Sequence, residues 1–268
     1  MERAMTNIML AIVKHELRRR RLYLVWWSLG IIVLIALTVL AYGSVKDQAA
    51  ELNKAMGNLS SNIGSFVGTS DMFSPVGYLN SQLYFITLPI LFILLSVTLS
   101  GSLMSKEERH GTMELLLSRP VGRGRLLVAK ALAGTVVVAL LGIVAAVITI
   151  ICGAAVHLGV SAGHILLATT WMVLFSGAFG AIAFMLYAAS QLTRKAAAAV
   201  AILLSFGGYI LSSLGGMVHG LEWPAKLLPY HYYNPGDILH GHISAGLIIY
   251  VAAMYVVAIA IALIGFRR

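Results

Sequence analysis

The chain has 268 residues of which only 11% are charged, against roughly 25% in an ordinary globular domain, so it lacks the polar surface that a water-soluble fold requires. The apolar share is 59% and the mean hydropathy is strongly positive, more oily surface than one compact core can hide, and the solvent this sequence calls for is a bilayer. A formal net charge of +9 points, taken alone, to nucleic acid or an anionic surface, while the single cysteine, Cys152, excludes an internal disulfide and a clustered thiolate metal site.

Residues 1–21 open the chain with Met5, Ile8, Met9, Ile12, Val13 and Leu17 at helical spacing and Lys14, Glu16 and Arg18 on other faces. That pattern predicts an amphipathic helix lying on the inner membrane surface, followed by the interfacial aromatics Tyr23, Trp26 and Trp27. A helix needs about 20 apolar residues to cross the hydrocarbon. Five stretches free of Asp, Glu, Lys and Arg are long enough, at 22–45, 72–105, 131–193, 196–221 and 238–266, and the third must fold at the Gly- and His-containing turn 157–164. The expected spans are 22–43, 82–105, 126–156, 164–191, 196–219 and 243–266. Their Ala- and Leu-rich composition, without strand alternation, predicts an all-α polytopic protein in which 1–268 form a single transmembrane domain of six helices. The first apolar run is too long for a cleaved leader and reads as a retained anchor.

Orientation follows from the basic residues, which are retained on the cytoplasmic side. With both termini inside, every Lys and Arg except Lys46, Lys54 and Lys226 falls in the cytoplasm, and the reverse topology would invert that ratio. The net positive charge is thereby spent on holding four segments inside, and nucleic acid drops out as a partner.

Between the spans, the extracytoplasmic loop 44–81 admits a helix from Asp47 to Met56 and carries no recognisable chemistry, and Pro89 is expected to kink the second span. The inner segment 106–125 is the most informative. Glu107, Gly111 and Glu114 lie at i, i+4 and i+7 on one helix face, Met113, Leu115, Leu116 and Leu117 supply an apolar surface, and Pro120 and Gly122 end it. Such a helix either docks a soluble partner or rests on lipid. In the outer loop 220–242, Trp223, Pro224, Pro229, Tyr230, Tyr232, Tyr233 and Pro235 predict short helices at the outer interface.

The run from Lys106 to Arg123, with Glu107, Gly111-Thr112, Glu114, Leu116-Leu117, Pro120-Val121 and Arg123, followed by Lys130, resembles the signature E-x-x-x-G-T-x-E-x-L-L-x-x-P-[VI]-x-R…K of ABC-2 transporter permeases, the membrane subunits of bacterial ATP-driven exporters. It falls where that family carries it, between spans two and three of six. Leu228-Pro229-Tyr230-His231-Tyr232-Tyr233-Asn234-Pro235 is similar to the family's aromatic stretch before the last span, with Leu228 in place of the frequent Ser. The resemblance covers nearly the whole chain. It implies that residues 107–120 form a coupling helix seated in a groove of a separate ATPase subunit, with Glu107, Gly111, Thr112, Glu114, Leu116 and Pro120 as docking positions. It further implies two ATPases per complex, a second copy of this permease or a related one, and a bacterial cell membrane.

The residues agree that the chain does no chemistry of its own. No Gly-x-x-x-x-Gly-Lys-[Ser/Thr] loop occurs, so ATP and Mg belong to the partner and no cofactor is expected here. His15-Glu16 starts like a zinc-protease helix, but Arg19 stands where the second His is required. His219, His231, His240 and His242, with Glu222 and Asp237, lack the spacing of a known metal site and read as polar interfacial packing. The charge-free runs hold no ionisable Asp or Glu for ion coupling, so energy should arrive through the inner loop and the cargo should be amphiphilic or apolar. Ser96, Thr98, Thr169, Ser176, Ser205, Tyr209 and Ser212 are candidates for its path, alongside Ser100, Thr170 and Ser213. Most such hydroxyls are expected to bond helix to helix instead, as are the pairs Gly177 with Gly180 and Gly216 with Gly220. The alternative reading is a mechanotransmitting or scaffold subunit that drives an extracytoplasmic partner without moving cargo.

Overall fold

A computed structural model of the chain describes residues 14–49, 51, 54, 68, 69, 71–109, 123–189, 193–215, 218 and 220–265. All regular structure among the described residues is helical. The elements are α1 (Arg21–Val45), α2 (Pro75–Leu79), α3 (Thr87–Arg109), α4 (Arg123–Ala155), α5 (Ala162–Ala189), α6 (Arg194–Gly215), α7 (Glu222–Lys226), α8 (Pro229–Tyr232), α9 (Pro235–Leu239) and α10 (Ala245–Gly265). Six helical stretches are long and apolar enough to cross a membrane: α1, the α2–α3 unit, α4, α5, α6 and α10.

The second of these begins earlier than the expected residue 82. Ser74 accepts a hydrogen bond from the Gly77 amide at 3.1 Å and Pro75 occupies the first helical turn, so α2 starts as a capped helix at Pro75. The kink assigned to Pro89 is displaced too. A π-helical stretch at Asn80–Tyr84 and a turn at 85–86 precede α3, which leaves Pro89 in the first turn of α3, where its missing N–H costs least. Between α4 and α5 the expected turn is present, with His157 at φ 53° and Gly159 at φ 77°.

The fourth span, α5, is the centre of the bundle, packed against α3, α4, α6 and α10, while α1 packs on α4. Helices in lipid gain little from burying oil against oil, so they associate where small residues let backbones approach. On α5, Gly180 is such a place: a Cβ there would stand 2.7 Å from Ser96 Cβ on α3. One turn earlier, Gly177 makes room for the Tyr255 hydroxyl of α10. That pair therefore packs helices as expected. Gly220 does not: it lies in a turn at φ 106° with nothing near its Cα, and its suggested partner Gly216 falls outside the described residues.

The segment between α6 and α10 forms the short helices α7, α8 and α9, but it does not merely lie at the surface. Tyr230 and Tyr233 are buried in the bundle, Tyr233 stacked on Phe175 of α5 at 4.3 Å and 9° and Tyr230 edge-on to the same ring at 4.9 Å. Tyr233 also donates to the Tyr84 backbone oxygen at 2.8 Å, and the Tyr84 and Thr169 hydroxyls are 2.8 Å apart. Burial holds both loop phenols, Tyr230 and Tyr233, above their ordinary pKa.

Candidate functional site

At the opposite end of the bundle, α3 leads into the 106–125 segment, and the last residues of α3 before it collect side chains from three other parts of the chain. Arg20, just before α1, donates from Nη1 to Ser102 Oγ at 2.7 Å and from Nε to Glu16 at 3.2 Å. Arg20 and Glu16 are both more than nine-tenths buried. In the described part of the N-terminal amphipathic helix, the polar pair is thus buried and only Leu17 of the apolar positions packs against the core. Met5, Ile8, Met9, Ile12 and Val13 lie outside the described residues.

Lys130 of α4, 3% exposed, donates to the Leu103 carbonyl oxygen at 2.8 Å. Arg194, at the start of α6, lays its side chain across Gly101, where a Cβ would come within 2.8 Å of its Cγ. Gly101, Ser102 and Leu103 are therefore touched by groups from the N-terminal segment, α4 and α6 immediately before the inner loop. These cations read in the sequence only as topology markers. Their signal was adjacency: each lies at the edge of an apolar run, where a long basic side chain can reach back over its neighbour.

α3 continues through Glu107 to Arg109, so the chain enters the inner segment as a helix. The side chain of Glu107, and all of Gly111, Thr112, Glu114, Leu116 and Pro120, lie outside the described residues.

The proposed path residues are dispersed. Thr98 and Thr170 are exposed and bond the carbonyls of Leu94 and Leu166 one turn back on their own helices. Thr169 is tied to Ile165 and Tyr84, and Ser176 faces the Pro89 carbonyl at 3.4 Å. Ser205 and Ser213 are buried on α6, Ser212 partly so, and Tyr209 of the same helix meets Phe85 and Tyr230 edge-on. Ser100 bridges to the Gly180 carbonyl oxygen at 2.8 Å.

Of these, Ser96 and Ser100 line a cavity of about 230 Å³ enclosed by α3, α4, α5 and α10, in the half of the bundle nearer the inner segment. Its wall is otherwise apolar except for Thr135 and Tyr255. Among the described residues no three His, Cys, Asp or Glu side chains come close enough to hold a metal ion. His231, His240 and His242 are exposed.

Six apolar helices around a central one, with buried charge gathered where two of them meet a connecting segment, define a multi-pass membrane protein. The family is resolved by comparison with known proteins: residues 10–268 match the ABC-2 family transporter protein, and the chain belongs to that family. It is accordingly the membrane component of an ABC transporter, which associates with ABC ATPase subunits. No individually curated protein matches it.

Proposed function

We propose that the chain is the permease of an ATP-driven exporter for amphiphilic or apolar cargo, with ATP hydrolysed on a separate subunit that docks on residues 107–120. The reading places the inner segment and both termini in the cytoplasm of a bacterial cell, and two permeases with two ATPases in the complex. Glu107, Gly111, Thr112, Glu114, Leu116 and Pro120 contact the ATPase.

The observation that carries this reading is the convergence on Gly101, Ser102 and Leu103. Arg20, Lys130 and Arg194 bind three other segments to α3 right where it becomes the inner segment. A push delivered to that segment then reaches α1, α3, α4 and α6 together. The dispersal of hydroxyls, most bonded to their own helices, supports an apolar cargo over a polar one, because a polar cargo needs a continuous row of partners.

The test is the purified complex in liposomes. Glu107→Ala with Glu114→Ala, and separately Gly111→Leu, should abolish cargo-stimulated ATP hydrolysis and release of a fluorescent amphiphile. Undiminished stimulation and docking would overturn the assignment of the segment. Stimulated hydrolysis without movement of any compound across the bilayer would overturn export.

A further inference from the structure

The cavity between α3, α4, α5 and α10 has one polar atom that nothing satisfies. Ser96 is 4% exposed, and its hydroxyl has no hydrogen-bond partner, whereas the other hydroxyls on the wall are all engaged. Ser100 bonds the carbonyls of Ser96 and Gly180, Thr135 bonds Ala131, and Tyr255 bonds Leu174. An orphaned buried hydroxyl costs about 1 to 3 kcal/mol. Water is a poor remedy, because a buried water needs two to four partners and this wall offers a single unmet one. The cavity, at about 230 Å³, is larger than the ~150 Å³ apolar hole that takes up benzene. Leu132, Leu174 and Ile259, on α4, α5 and α10, belong to its lining and are exposed on the outer surface of the bundle, so it opens sideways toward hydrocarbon. No charged side chain lines it.

We infer that this cavity is a binding site for one alkyl chain bearing a single neutral oxygen, admitted laterally from the bilayer, with Ser96 donating to that oxygen. A fully apolar guest would leave the hydroxyl unmet, and a charged one would find no counter-ion. The inference stands apart from the export reading, because occupancy is a property of the isolated permease.

The experiment is photolabelling of the full chain in lipid nanodiscs with a diazirine-bearing decanol, read by mass spectrometry, with 1-decanol and n-decane as competitors. The expected result is saturable labelling of the α4, α5 and α10 segments that line the cavity, displaced about five-fold better by decanol than by decane. Ser96→Ala should erase that preference without lowering thermal stability, since it removes an unsatisfied group. Ala258→Leu, which fills the cavity from α10, should cut labelling several-fold. Label spread evenly over the lipid-facing helices, or a preference for decanol that survives Ser96→Ala, overturns the site. In the complex with its ATPase, loss of label during ATP turnover marks the occupant as cargo and unchanged label marks a resident lipid chain; either outcome keeps the site.

Discussion

Lys130 Nζ lies 2.8 Å from the Leu103 carbonyl oxygen and donates to it, joining a residue just before the inner segment to one just after it. Lys130→Met keeps the apolar stem and removes the ammonium, which costs about 1 to 3 kcal/mol for a hydrogen bond from a charged donor. The expected outcome is a fall of ten-fold or more in permease-stimulated ATP hydrolysis while the permease still co-purifies with its ATPase. Stimulation at the wild-type level would mean that the tie plays no part in transmission.

The Glu16 and Arg20 pair is buried, so removing one partner leaves an uncompensated charge. Glu16→Ala should destabilise the purified protein by about 3 to 5 kcal/mol, whereas Ser102→Ala should cost only about 1 kcal/mol. Glu16→Ala combined with Arg20→Met should be less damaging than Glu16→Ala alone. Denaturation in mixed detergent micelles measures all three, and strict additivity would contradict the pairing.

Gly180 and Gly207 make opposite predictions for the same substitution. Gly180→Ala drives a methyl to within 2.7 Å of Ser96 Cβ and 3.1 Å of its backbone; overpacking of this kind costs about 1 to 3 kcal/mol. Gly207→Ala meets nothing within 4 Å, and in a helix it should stabilise by about 0.4 to 1 kcal/mol. Thermal midpoints of the two variants decide the matter.

Tyr233 gives a pH dependence with a definite sign. Burial lifts its phenol well above the ordinary 10.0, so the folded chain keeps this proton at a pH where the unfolded chain has lost it. Its contribution to stability is therefore complete below about pH 10 and declines as the pH rises further. Tyr233→Phe should retain the ring stack on Phe175, lose about 1 kcal/mol at neutral pH with the bond to Tyr84, and flatten the alkaline decline. Unfolding midpoints recorded from pH 9 to 11.5 would show an equally steep decline in the variant if the phenol were not responsible.

The spans were legible because length and the absence of charge are properties of a run, which no tertiary contact needs to supply. Their junctions were not. Asn80, Ser81 and Gln82 read as the end of a polar loop, yet Asn80 is fully buried, its amide bonded to the Gly68 carbonyl oxygen at 2.9 Å. The aromatic and proline pattern at 223–235 announced short helices, but aromatics that float at an interface and aromatics that stack on Phe175 have the same spacing. Hydroxyl residues were the least readable of all. Thr98 and Ser96 are two positions apart on one helix; one is exposed and bonded to its own backbone, the other buried and unpartnered. Of the docking positions, the sequence motif remains the whole of what speaks for them.

The helix at the centre of the bundle is the fourth to be synthesised. Until α5 enters the membrane, Ser100 has no Gly180 carbonyl to bond, the Phe175 ring that receives Tyr233 does not exist, and α3 must wait in lipid beside α4 with its contact face uncovered. Insertion of this protein is therefore not a matter of adding each helix to a finished core. The early spans are held in reserve, and a ribosome that stalls before residue 189 leaves behind a set of helices with nothing to gather around.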